Sequence, residues 1–98
     1  KVKDSSPTRY GDNAVVKNAI IADGCDIEGE VYDSVIFRGV KIGRGTVVRN
    51  CILMQNTLTE ENVSLNCIIA DKNVVIKDKR TLSGSENHPF FISKGTVI

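Results

Sequence analysis

Ninety-eight residues with 13 Lys and Arg against 12 Asp and Glu carry a formal charge of +1, which excludes a strongly basic nucleic-acid-binding surface. Aromatic residues make up 5% and Trp is absent, so this length supports one small core of branched aliphatics rather than rings. No apolar run approaches the roughly 20 residues of a bilayer-spanning helix and no signal-peptide pattern opens the chain, so no membrane partner is expected.

Taken in chain order, residues 1–12 hold Pro7 and several polar neighbours and read as a linker leading into the first regular element. The chain opens on Lys1 rather than Met, which predicts a C-terminal piece of a longer subunit. From residue 13 a repeat begins. Asn18-Ala19-Ile20-Ile21, Asp33-Ser34-Val35-Ile36, Asn50-Cys51-Ile52-Leu53 and Asn66-Cys67-Ile68-Ile69 share one pattern and recur at nearly even intervals. The intervening "ADGCDIEG", "FRGVKIGRG", "MQNTLTEEN" and "ADKNVVIKDK" are rich in turn formers. Helices do not suit this density of glycine and β-branched residues, so each repeat predicts two or three short strands joined by tight corners.

A strand of four or five residues cannot bury its apolar face alone. Stacking such coils at about 4.8 Å lets each backbone pair with the coils on either side. The interval between motifs fits three short sides per coil, so residues 13–82 predict an all-β, triangular parallel solenoid of about four to five coils. Val40, Ile42 and Val48 are expected to fill its hollow, with Gly39, Gly43 and Gly45 at corners. Residues 83–98, containing "GSENHPFFISKGTVI", break the repeat and read as a capping segment, with Phe90 and Phe91 covering the open end.

Three cysteines without a CxxC pair fit reduced thiols in the cytoplasm better than a disulfide framework. Cys51 and Cys67 fall at equivalent places and are expected to stack inside the core, in a slot that Ala19 and Ser34 also occupy. The single histidine, His88, lies outside the repeat, which supports neither a zinc site nor a catalytic base. Gly43-Arg44-Gly45 reads as a coil corner, since a phosphate cradle needs a following helix N-terminus.

Two surface features are the candidate sites. Arg38, Lys41, Arg44 and Arg49 gather along one coil; they are either solvated side chains or a contact for an anion, an effector or a neighbouring domain. Lys77, Lys79 and Arg80 form a weaker second group. If the small residues of the repeat point inward, strand alternation turns Ile20, Val35, Ile52 and Ile68 outward as an apolar interface ladder. The opposite phase buries all four.

The strings "EGEVYDSVIFRGVKIGRGTVVRNCILM" and "NCIIADKNVVI" resemble the C-terminal β-helix of bacterial glucose-1-phosphate adenylyltransferase, also called ADP-glucose pyrophosphorylase. "HPFFISKGTVI" and "SSPTRYGDNAVVKN" are similar to its GlgD-type subunit. The resemblance implies a left-handed, hexapeptide-repeat β-helix, against the general right-handed preference of crossovers. It also implies a preceding nucleotidyltransferase domain that makes ADP-glucose and pyrophosphate from ATP and glucose 1-phosphate in glycogen biosynthesis. Mg²⁺ is expected in that domain alone, and no catalytic, cofactor or metal-binding residue is expected in these 98. The implied partners are that domain and a catalytic sister subunit in a heterotetramer. Where regulated relatives carry arginines, this chain reads "VSLNC" (Val63 to Cys67), a departure from the family's sugar-phosphate effector site. The alternative from another class is a hexapeptide acyltransferase that uses an acyl-CoA donor.

Overall fold

A computed structural model describes residues 7–98; residues 1–6 of the expected linker lie outside the described residues. Each run of two or three extended residues ends at a residue that turns the chain, and the turning residues recur in columns. Gly24, Gly39, Asn56, Asn73 and Gly95 form one column with φ between 60° and 76°. Asn18, Asp33, Asn50 and Cys67 form another, with φ between 52° and 57°. Glycine lacks the Cβ that penalises this region, and Asn or Asp tolerates it through its short polar side chain.

The result is five stacked coils of three strands each. The first holds β1 (Arg9–Tyr10), β2 (Val15–Lys17) and β3 (Ile20–Ile21). The second holds β4 (Asp26–Ile27), β5 (Glu30–Tyr32) and β6 (Val35–Ile36). In the third are β7 (Lys41–Ile42), β8 (Val47–Arg49) and β9 (Ile52–Leu53), and in the fourth β10 (Leu58–Thr59), β11 (Ser64–Asn66) and β12 (Ile68–Ala70). The fifth holds β13 (Val75–Ile76), β14 (Thr81–Ser83) and β15 (Phe90–Ile92). Like strands of successive coils pair in parallel, giving three five-stranded faces: β1-β4-β7-β10-β13, β2-β5-β8-β11-β14 and β3-β6-β9-β12-β15. The described residues contain no helix. This is the all-β parallel solenoid that the repeat predicts. Pairing starts at Arg9, inside the segment 1–12 expected as linker.

All three faces send side chains into the hollow. Ile27, Ile42 and Ile76 come from the first face, Val31, Val48 and Leu65 from the second, and Ile36, Leu53 and Ala70 from the third, all buried. Val40, Ile42 and Val48 are sealed from solvent, as expected. Threonines also enter the hollow, with their hydroxyls satisfied. Thr46 Oγ1 donates to the Glu60 carbonyl at 2.7 Å and accepts from the Val63 amide at 3.2 Å.

Two expectations need correction. The repeated motif aligns Asn66 with Asn50, yet the backbone pairs Asn66 with Arg49. Cys67, not Asn66, therefore takes the turning position of Asn50, and its amide bonds the Arg49 carbonyl as the Asn50 amide bonds that of Tyr32. The slot beside Cys51 goes to Ile68, which is fully buried. The reason lies one strand earlier. The observed register sets Leu65 in the hollow over Val48, and a one-residue slip would turn Leu65 out to solvent. So Ile68 does not belong to the outward ladder, and Cys67 does not stack with Cys51 inside the core.

The second correction concerns the end of the chain. Phe90 and Phe91 are 42% and 55% exposed and do not plug the hollow. They lie in β15, paired with Ile68 and Ile69, while Ile92 is buried and Ile98 packs against the core. Val97 bridges Val75 of the first face, so residues 90–98 continue the stack.

Candidate functional site

The third face carries the apolar surface. Because β3, β6, β9, β12 and β15 keep strict register, their outward residues form a column: Ile20, Val35, Ile52, Ile69 and Phe91. Ile20 is 69% exposed and Ile52 36%, while Val35 and Ile69 are half-buried. A second column lies two residues further along, where the same ladder of amide bonds aligns Ala22, Phe37, Met54 and Asp71. Phe37 and Met54 are half-buried and stand outside the core cluster, on the outer surface beside Val35 and Ile52. Of the four residues expected in the ladder, the structure aligns Ile20, Val35 and Ile52 and replaces Ile68 with Ile69. Phe37 and Met54 were legible too, since continuing the period-two alternation by one step reaches both.

Charged and amide side chains line the two edges of this face. On the edge before it stand Asn18, Asp33 and Asn50, where Asn18 Nδ2 donates to Asp33 Oδ1 at 2.5 Å. On the edge after it stand Asp23, Arg38, Gln55 and Lys72, one per coil, followed by Lys94 in the fifth. The third face thus holds an apolar centre within a polar rim.

The four basic residues expected as one group do not form one cluster; only Lys41 and Arg44 line a common hollow. Arg38 is on the corner after the third face, Lys41 on the first face, Arg44 on the next corner and Arg49 on the second face. The short spacings between them turn a corner at each step. Arg44 shares a hollow with Arg9, Asp12 and Glu28, and Lys41 and Arg44 together line another with Asp26, Glu28 and Glu61. Arg49 lies over the Tyr32 ring, 4.4 Å from its centroid, and Tyr32 donates to Glu30 at 2.6 Å. The Glu30 carboxylate holds the Tyr32 hydroxyl above its ordinary pKa. Lys77, Lys79 and Arg80 are exposed at a corner of the fifth coil, beside Asp78.

The remaining candidates are structural in position. Gly43-Arg44-Gly45 is a corner leading into a strand. His88 is exposed in the loop between β14 and β15, where its backbone and that of Ser85 exchange two hydrogen bonds of 3.1 Å. Cys51 is buried, with its thiol donating to the Arg49 carbonyl at 3.0 Å. Burial pushes this thiol from an ordinary 9.0 up to about 11.

A folded pKa raised in this way has a testable sign. The stabilisation by neutral Cys51 is complete below pH 9 and is lost as the pH rises towards 11. The loss is on the order of 2–3 kcal/mol. Cys51→Ala puts into the slot the residue found at Ala19, and it is expected to flatten that fall in urea-denaturation midpoints. An identical alkaline fall in the variant would place its origin in another group.

The family described as "GlmU-like, C-terminal hexapeptide" matches residues 5–97. "Glycogen biosynthesis protein GlgD" of Bacillus subtilis (strain 168) is 43% identical over 97 residues, covering 99% of this chain and 28% of the relative. The protein of the same name from Geobacillus stearothermophilus is 47% identical over 97 residues, with the same coverage of 99% and 28%. "Glucose-1-phosphate adenylyltransferase" of Desulfitobacterium hafniense (strain Y51) is 35% identical over 108 residues, covering 95% of this chain and 26% of the relative. The chain thus spans little more than a quarter of the length of these relatives.

Proposed function

The chain belongs to the GlmU-like, C-terminal hexapeptide family, and from that premise we propose that it is a non-catalytic assembly and regulatory domain of a glucose-1-phosphate adenylyltransferase subunit in glycogen biosynthesis. The similarity to two GlgD proteins along 99% of the chain supports the pathway. The observation that carries the assembly role is the third face, whose apolar columns are held in register by a stiff backbone ladder. Five coils bonded to one another fix the spacing between whatever attaches at different heights.

In this reading the partners are the subunit's own nucleotidyltransferase domain and a catalytic sister subunit, joined in a heterotetramer. The conversion of ATP and glucose 1-phosphate to ADP-glucose and pyrophosphate belongs to those partners, along with its Mg²⁺. The arrangement of charge agrees with this division of labour. Arg38 and Arg49 sit apart from Lys41 and Arg44, and the hollow that Lys41 and Arg44 share also holds Asp26, Glu28 and Glu61, which disfavours one anion cradle built from all four.

The test is co-purification of the tagged chain with a glucose-1-phosphate adenylyltransferase subunit, followed by an ADP-glucose synthesis assay. Retention of the subunit with an altered rate is the expected result. A chain that neither retains the subunit nor changes its rate overturns the proposal.

A further inference from the structure

In one orientation the rim of the third face meets a second copy of itself without the like-charge pair that the other orientation makes. A twofold rotation of a second copy about an axis parallel to the stack keeps each coil opposite its own counterpart. It also reverses the strands, so the edge before the face lies over the partner's edge after it. Arg38 then meets Asp33 of the other copy, a pair that occurs twice by symmetry. Asp23 faces Asn18 and Gln55 faces Asn50, so no like charges meet at these positions. In the centre Val35 lies opposite Phe37 and Ile52 opposite Met54, aliphatic against larger apolar side chains. Rotation about the strand direction instead sets coil two against coil four and coil one against coil five, which puts Arg38 beside Lys72 and leaves Asp23 with Lys94 as the compensating pair.

We propose that the third face binds a second copy of this chain, side by side and coil to coil, about a twofold axis parallel to the solenoid. An isologous contact of this kind needs one patch that complements itself, and the exchange of Asp33 with Arg38 meets that need within one coil. The aliphatic centre supplies the apolar burial, and the paired rim charges select this orientation over the alternative. The contact rests on the assembly reading and adds a second copy of this chain to the partners of that assembly.

Sedimentation equilibrium of the 98-residue chain tests it. A mass twice 10.7 kDa is expected, with dissociation favoured by salt. Ile52→Asp, at the centre of the patch, is expected to give a monomer. Arg38→Glu changes only an exposed corner and keeps the test valid if the first variant fails to fold. It sets two carboxylates together at both symmetry-related positions and is expected to weaken the dimer by more than about tenfold. Adding Asp33→Lys to Arg38→Glu restores opposite charges; lysine already occupies this backbone region at Lys79. Recovery of the dimer in the double variant is the distinguishing result.

A monomeric wild-type chain overturns the proposal, as does a dimer that neither single variant weakens. A folded double variant that stays monomeric also overturns it. A monomeric chain that still retains the adenylyltransferase subunit would leave the assembly role standing while removing this contact.

Discussion

Gly29→Ala is expected to destabilise the chain by about 3 kcal/mol or more, read as a lowered urea midpoint at fixed protein concentration. The cause lies at a shortened corner. Asp26 pairs with Lys41 and Glu30 with Val47, so the second coil rounds more tightly the corner that the third rounds through Gly43-Arg44-Gly45-Thr46. The tighter path brings Gly29 onto the backbone of the coil beside it. A Cβ at Gly29 would sit 2.3 Å from the Thr46 carbonyl oxygen and 2.8 Å from that of Gly43. Neither oxygen can yield cheaply. The Thr46 oxygen accepts the Glu30 amide at 2.8 Å, and the Gly43 oxygen accepts the Thr46 amide at 3.2 Å. Gly95→Ala is the informative comparison, because that Cβ meets nothing within 4 Å and only the φ of +75° opposes it. Its cost should stay near about 1–2 kcal/mol. Equal costs at the two positions would refute the steric account.

Ile68→Ala is expected to cost about 2–5 kcal/mol and Ile69→Ala less than about 1 kcal/mol. The two are adjacent and chemically identical, so only the strand phase separates them. Ile68 is fully buried beside Cys51, whereas Ile69 stands half-buried on the outer surface beside Ile52. Denaturation should be followed in the Ile52→Asp background, because a dimer would add its own concentration-dependent stability to every variant of the third face. The reverse order of costs would restore the register that pairs Asn66 with Asn50 and would place Cys67 inside.

The solenoid itself could be read from the order of residues. Glycines and asparagines at short intervals, with branched aliphatics between them, leave no helix-length segment and no strand long enough to fold alone. Such a chain can satisfy its backbone only by stacking on itself. The burial of Val40, Ile42 and Val48 followed from period-two alternation within one coil, a local rule that needs no knowledge of the neighbours. Ile20, Val35 and Ile52 turned outward by the same rule.

Where the reading failed, the deciding contact came from another coil. "NCIL" and "NCII" look equivalent, but Asn50 turns the chain in the first and Cys67 in the second. The choice was made by Leu65 settling over Val48, a pairing that local residues do not encode. Arg9–Tyr10 looks like linker in isolation and becomes a strand because β4 offers it a free edge. There the Arg9 guanidinium reaches Asp26 and Glu28 at 2.7 Å each.

The basic residues show the same division. Arg38, Lys41, Arg44 and Arg49 are close along the chain, and three-sided winding sends them to different sides. The sequence alone determined that this protein is a stack of short parallel strands around an aliphatic core, because period and turn chemistry act within a few residues. Only the tertiary structure decided which isoleucine faces water and which charges share a rim. Those properties depend on the alignment between coils, set by hydrogen bonds and burial between residues a full coil apart.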